Sequence, residues 1–259
     1  MQLVDTHCHL DDERFANDVD AVLSRAADAG VQSIVAVGTT LETSRRAIEL
    51  ARKTPLVRAA VGIHPNYVAA STHDDWPAVV ALASEPEVVA IGETGLDRFR
   101  NDTPIEHQIE SFHRHLGLSR ECHKPIIIHC RDAEADVLRC LEDAASAGPV
   151  CGVMHSFTGQ AATAARCVEL GLYISFAGQL TFTNRKFDAL REVARCVPAD
   201  RLLVETDSPY LAPEPHRRER NEPAYVALTA QRLAELRQFE PAELSGITTE
   251  NARRLFGLH

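Results

Sequence analysis

The chain lacks any apolar run near the length that crosses a bilayer, and no basic leader followed by an apolar stretch opens it, so neither a membrane span nor a secretory signal is expected. A cytoplasmic location is the resulting expectation. It also lacks a C-x-x-C pair: Cys8, Cys122, Cys130, Cys140, Cys151, Cys167 and Cys196 form an odd, scattered set of seven. That pattern argues against a disulfide framework and a thiolate zinc site, and leaves most of these residues as small core hydrophobes. Positive charge is short as well, with 27 Lys and Arg against 37 Asp and Glu and a formal net charge of -10. A protein that coats nucleic acid by bulk electrostatics is excluded, whereas an enzyme meeting a phosphate at one local site is not. Aromatic residues make up 5% of the chain. That is too few for an extended base-stacking platform, and a small cleft accepting a strand end fits better than a long groove.

What the chain does have is alternation. Short runs rich in Val, Ile and Leu recur at Leu3-Val4, Ile34 to Val37, Val57 to Ile63, Val88 to Ile91, Pro125 to Ile128, Gly152 to Met154, Leu172 to Phe176 and Leu202 to Val204. Between them lie Ala-rich, charge-studded stretches with helical spacing, such as 18–29, 41–53, 105–123, 133–147 and 161–170. Gly30, Gly148 and Gly171 each close such a stretch, as a glycine after a helix C-terminus does. Eight strand-then-helix repeats in 259 residues predict a (β/α)8 TIM barrel, an α/β fold, with residues 1–259 forming one domain. A doubly wound open sheet is the alternative that the same alternation permits.

A barrel carries its active site at the C-terminal ends of its strands. Reading each apolar run to its end gives His7 and His9, then His64, Glu93, His129 and His155, and after the eighth run Glu205 and Asp207. Side chains alternate faces along a strand, so Asp5, His7 and His9 of Asp5-Thr6-His7-Cys8-His9 point the same way, and two imidazoles can chelate one ion. By the same alternation Cys8 and Cys130 face away, which disfavours a nucleophilic thiol. The other histidines serve as a control. His113 and His115 repeat the H-x-H string inside a helical stretch, where residues two apart diverge, and are expected to be surface or packing residues. His73, His107, His123, His216 and His259 are expected to be structural or solvated. The remaining set of imidazoles and carboxylates suits two divalent ions sharing a bridging carboxylate, with Glu93 the best-placed bridge. Mg, Mn, Zn, Ni or Fe all accept such donors. No lysine ends a strand, which removes a carbamylated-lysine bridge.

Several ordered strings carry a resemblance. Asp5 to His9 (DTHCH), Gly62 to Pro65 (GIHP), Gly92 to Asp97 (GETGLD), Pro125 to Arg131 (PIIIHCR), His155 to Gly159 (HSFTG), Glu205 to Leu211 (ETDSPYL) and Arg220 to Pro223 (RNEP) resemble the TatD-like metal-dependent deoxyribonucleases. The match runs from Asp5 to the closing segment, Asn251 to Phe256. The resemblance implies a barrel of the amidohydrolase superfamily with a binuclear site. By motif, His7, His9, Glu93 and Asp207 would hold one metal, Glu93, His129 and His155 the other, and His64 would lie at the substrate. The residue after G-L-D, often aromatic in this family, is Arg98 here, followed by Phe99.

Two ions a few ångströms apart would bind a phosphate oxygen and lower the pKa of a water from about 16 toward 7, a two-metal hydroxide mechanism. Asp207 is the expected proton acceptor, and His64 would contact the phosphate or protonate the leaving oxygen. Glu205 would orient a ligand histidine from behind. The forks of Arg131, Arg218 and Arg220, with Arg217 beside them, suit phosphate oxygens, and Asn221-Glu222-Pro223 looks like a helix start. Of Trp76, Phe157, Tyr67 and Tyr210, the two tyrosines are the candidates for stacking on bases. The favoured function is a deoxyribonuclease of the 3'-5' exonuclease type, acting on single-stranded or frayed DNA ends. A hydrolase of another bond on the same site, an amide or the ester of a D-aminoacyl-tRNA, is the alternative, and a non-enzymatic metal-binding interaction protein is a third.

Overall fold

The computed structural model describes residues 2–258; His259 lies outside them. The first half of the chain forms β1 (Leu3–Cys8), α1 (Val19–Asp28), β2 (Val31–Val37), α2 (Leu41–Lys53), β3 (Val57–Val61), α3 (Asp75–Leu82), β4 (Val88–Asp97) and α4 (Ile105–Cys122). The second half forms β5 (Ile126–Arg131), α5 (Glu134–Ser146), β6 (Gly152–Met154), α6 (Ala161–Glu169), β7 (Leu172–Phe176), α7 (Asp188–Cys196), β8 (Leu202–Val204), α8 (Val226–Arg237) and α9 (Pro241–Phe256). The eight strands follow chain order, β1 to β8, in one sheet, each followed by a helix. That is the (β/α)8 barrel order. Among the described residues, no helix is long and apolar enough to cross a membrane.

The chain divides into two compact units that interleave in sequence. One comprises Met1–Ala36, Ser156–Ala165 and Ile174–His259, the other Val37–His155 and Arg166–Tyr173. In the second unit β3, β4, β5 and β6 pair in parallel, with Ile91, Leu96, Ile126, Ile127 and Ile128 fully buried. Near-continuous apolar runs of this kind are what a parallel strand covered on both faces requires. In the first unit β1 pairs with β2 and β7 with β8. Asn251 on α9 fastens that unit by donating to the carbonyls of Leu202 (2.9 Å) and Ala199 (2.8 Å).

Three strands run past the ends of their apolar runs. β1, β4 and β5 reach Cys8, Asp97 and Arg131, so His7, Glu93 and His129 lie inside strands rather than after them. The ladder is a backbone property and tolerates the polar residues: Thr94, Gly95, Leu96 and Asp97 pair with Ile128, His129, Cys130 and Arg131. Gly95, at φ 134°, makes this possible, because a Cβ there would meet the His129 carbonyl oxygen at 2.0 Å. β3 is shorter than its apolar run. The Ile63 N–H is taken instead by His115 Nε2 (3.0 Å), and that of His64 by the Thr39 carbonyl (2.9 Å).

Candidate metal centre

In the first unit, β1 and the loop after β8 are bonded together around three donors. The Asp207 N–H donates to the His7 carbonyl (2.9 Å) and the His9 N–H to the Ser208 carbonyl (2.7 Å). This brings Asp207 Oδ1 to 3.6 Å from His9 Nε2 and 3.9 Å from His7 Nε2, and the two Nε2 atoms lie 3.2 Å apart. Two imidazole nitrogens and a carboxylate oxygen so close together form a ready cation cradle. Asp5, on the same face as expected, braces it from behind. Its carboxylate accepts from the N–H (2.8 Å) and hydroxyl (2.6 Å) of Thr206, the residue before Asp207. Burial pushes the Asp5 carboxyl up to about 8, against the lowering effect of those bonds.

Asn221, also buried, completes this scaffold. Its amide donates to the carbonyls of Thr206 (2.8 Å) and Tyr210 (2.5 Å), one on each side of Asp207, and its Oδ1 accepts from the Glu222 N–H (3.0 Å). The R-N-E-P string thus clamps the Asp207 loop and, as expected, starts a helical stretch: Pro223 opens the 3-10 turn Pro223–Tyr225, which runs directly into α8 at Val226. Glu205 Oε1 accepts from the N–H of Ser156 (2.7 Å), the residue after His155.

In the second unit, three imidazoles surround the buried Glu93. Its Oε1 lies 2.9 Å from His155 Nε2, 3.0 Å from His129 Nδ1 and 3.4 Å from His64 Nε2. Burial alone would raise the Glu93 carboxyl, but the His155, His64 and His129 rings hold it well below the usual range. His64, Glu93 and His129 each bring a ligand atom within 4.8 Å of the others, yet His64 is not a third nitrogen ligand. Its Nδ1 accepts the Asn66 N–H (3.1 Å), so the proton sits on Nε2, leaving that atom a donor without a lone pair to share.

His129 is oriented for the opposite role by Asp97, to which sequence reasoning gave no part. His129 Nε2 donates to Asp97 Oδ2 (3.2 Å), which orients the ring so that Nδ1 faces Glu93 and His155. Asp97 is itself fully engaged: Oδ1 accepts the N–H groups of Phe99 and Arg100 (both 2.9 Å), and Oδ2 accepts Asn66 Nδ2 (3.1 Å). Gln108 on α4 grips the Asp97 backbone at both N–H (2.8 Å) and C=O (3.0 Å). Burial opposes ionisation of the Asp97 carboxyl, but the bond from His129 and those from Arg100 and Asn66 keep it low; burial likewise opposes the raising of His129, which Asp97 and Glu93 bring about.

The basic residues divide. Arg220 spends both arms of its fork on Asp18 (2.7 and 2.8 Å) and donates to the Arg14 carbonyl (2.6 Å), so it braces its loop instead of facing a phosphate. Arg217 lies over Phe182. Arg131 and Arg218 are exposed and, among the described residues, make no ion pair. Phe157 is buried, and Trp76 packs edge-on against His115, so neither offers a platform. Cys8 is buried, and burial pushes the Cys130 thiol up to about 12, so neither is a nucleophile. His115 is buried and His113 exposed, the divergence expected of a helix.

A parallel (β/α)8 sheet with imidazole and carboxylate donors on several strands defines the class of metal-dependent barrel hydrolases. Within it, the family model for TatD related DNase matches residues 4–257, and the chain belongs to that family. An uncharacterized metal-dependent hydrolase, YabD, of Bacillus subtilis (strain 168) is 42% identical over 257 residues, covering 99% of this chain and 100% of the relative. The 3'-5' ssDNA/RNA exonuclease TatD of Citrobacter rodentium is 39% identical over 261 residues, covering 99% and 98%. The crystal structure of the TatD homologue YjjV from Escherichia coli K12 superposes with a TM-score of 0.93 at 30% identity, covering 99% of this chain and 98% of that one. The protein is thus a metal-dependent hydrolase of the TatD family.

Proposed function

We propose that the protein is a nuclease that hydrolyses phosphodiester bonds at DNA strand ends in the 3'-5' direction, on single-stranded or frayed ends, with two divalent ions. The observation that carries this reading is the Glu93 carboxylate with His129 and His155 directed at it. The donor set fits metal, because Asp97 holds His129 by Nε2 and leaves Nδ1 on the Glu93 side, where it would give its lone pair to an ion once its proton is displaced. Following the family resemblance, His7, His9, Glu93 and Asp207 would hold one ion, and Glu93, His129 and His155 would hold the other. Bound ions supply Lewis acidity toward a phosphate oxygen and toward the attacking water. The relative named a 3'-5' ssDNA/RNA exonuclease supports nucleic acid as the substrate.

The chain's own residues divide the remaining work. Asp207 accepts the proton released by the attacking water. His64 contacts the phosphate or the leaving oxygen through Nε2–H, its Nδ1 accepting the Asn66 N–H. Arg131 and Arg218 offer free forks to phosphate oxygens.

The test is cleavage of an end-labelled single-stranded oligodeoxynucleotide with Mg or Mn, beside Glu93→Ala. A metal-dependent ladder shortening from the 3' end, absent in the variant, is expected. Wild type and variant equally inert on DNA, with turnover of an aminoacyl-tRNA ester or an amide instead, would overturn the nuclease reading and leave the hydrolase.

A further inference from the structure

Among the described residues, the large hydrophobic side chains left exposed are Tyr67 (46%), Phe99 (60%) and Tyr210 (48%). Each adjoins a site residue. The Tyr67 ring centre lies 5.8 Å from that of His64, the Tyr210 ring 6.1 Å from that of His9, and the Phe99 N–H donates to Asp97 at 2.9 Å. A chain only 5% aromatic thus places its bare rings where substrate would arrive.

Phe99 is the barest of the three and has a particular setting. Arg98, at the position where the family resemblance leads one to expect an aromatic, is turned away to Asp136 (2.6 Å), and its N–H donates to the Arg131 carbonyl (2.9 Å). The Arg131 guanidinium lies over the Phe99 ring, 3.7 Å from its centre. One face of the ring is therefore covered by a cation that makes no ion pair among the described residues, and the residue's 60% exposure leaves the other face open. A guanidinium on one face still leaves the ring a π surface on the other, and its N–H fork remains free at the edges. The pair also has firm support, because Arg131 is the ladder partner of Asp97, on the two strands that carry Asp97 and His129.

We propose that Phe99 and Arg131 form a nucleotide grip: the open face of Phe99 stacks on a nucleobase near the strand end while the Arg131 fork takes the adjoining phosphate. This rests on the nuclease reading and adds to it that hydrolysis depends on the base as well as on the phosphate. Stacking accepts any base, so the grip selects nucleotides over other phosphodiesters without selecting sequence.

The experiment compares wild type, Phe99→Leu and Phe99→Trp on oligodeoxynucleotides that are intact or carry abasic residues over the last positions of one end or the other, with Mn. Wild type is expected to lose about ten-fold or more in kcat/KM when the bases at the attacked end are removed, the range of a single base–aromatic stack. Phe99→Leu should lose a similar factor on intact DNA and little more on abasic DNA, and Phe99→Trp should restore the base dependence. Because the ring is exposed, thermal melting of Phe99→Leu should match wild type. If wild type ignores base removal, or if Phe99→Leu loses the same factor on intact and abasic strands, the grip is overturned and the nuclease reading stands. Failure of wild type to cleave any oligonucleotide overturns the nuclease reading, and the grip with it.

Discussion

Asp97→Asn is the substitution that most directly tests how the His129 side of the site is built. The variant keeps size and shape, and its Oδ1 can still accept the Phe99 and Arg100 N–H groups that now bond the carboxylate at 2.9 Å. The other position then carries an NH2 group. It faces His129 Nε2, now 3.2 Å away, and Asn66 Nδ2, now 3.1 Å away, both of which are donors. Donor would meet donor twice. The ring can escape only by moving its proton from Nε2 to Nδ1, the atom 3.0 Å from Glu93, which removes the lone pair that an ion on the Glu93 side needs. Loss of an orienting partner of this kind typically costs 10–100-fold in metal affinity, or about 1.4–2.7 kcal/mol.

Calorimetric titration of the metal-free protein with Mn should therefore show two binding events in wild type and one of them weakened by that factor in Asp97→Asn, with the loss in kcat reversed in part by excess metal. Unchanged affinities with unchanged kcat would refute the reasoning, since they would mean that the His129 tautomer is set elsewhere. A collapse of melting temperature by ten degrees or more, about what a loss of several kcal/mol produces, would refute it differently, by showing that Asp97 holds the fold rather than the ring.

Three further outcomes follow from the same geometry. His115 is buried with Nδ1 on the Ser111 carbonyl and Nε2 accepting the Ile63 N–H, and burial depresses it to about 4; the unfolded chain therefore binds more protons between that pH and about 6.5, so stability is intact above the window and falls through it as pH drops. Between pH 7 and pH 5 the loss is about 2 kcal/mol, and unfolding free energies from urea titrations of wild type and His115→Gln should diverge by that amount, parallel pH curves being the contrary result. Asn221→Ala leaves the buried Thr206 carbonyl without its donor, at about 1–3 kcal/mol, and frees the part-buried Tyr210 carbonyl; it should lower kcat more than it raises KM, because Asp207 loses its brace, and an intact kcat would place Asp207 outside the reaction. Arg218→Ala should reduce the slope of log(kcat/KM) against log salt by about 1, whereas Arg220→Ala should leave that slope alone and lower the melting temperature; the opposite pattern would show that the Asp18 pair opens for substrate.

What the sequence made legible was the set of donors. In parallel strands buried on both faces, a histidine or carboxylate interrupts an otherwise apolar run, and that contrast exposes His7, Glu93, His129 and Asp207 without any structure. The partners that aim those donors stay hidden because their roles depend on long-range meetings. Thr206 is 201 positions from Asp5, and Asp18 is 202 from Arg220, and no periodicity relates such pairs. Asp97 was visible as a letter in G-E-T-G-L-D, but its role depends on β4 continuing through Gly95 into contact with His129, a consequence of glycine backbone geometry that an apolar run ending at Ile91 does not announce.

The hidden partners share one design. Asp97 fixes a ring through its side chain, while Asp5 and Asn221 fix Asp207 through the peptide groups around it. Asp207 sits at φ 55°, a conformation that costs a non-glycine residue about 1–3 kcal/mol, and the backbone would relax from it unless held. The buried bonds from Asn221 and to Asp5 are of a size to offset that cost. They stiffen the donors before any cation arrives, so binding need not meet the cost of ordering them. On that logic the bracing residues would act on affinity and turnover together, as the proposed ligands themselves would.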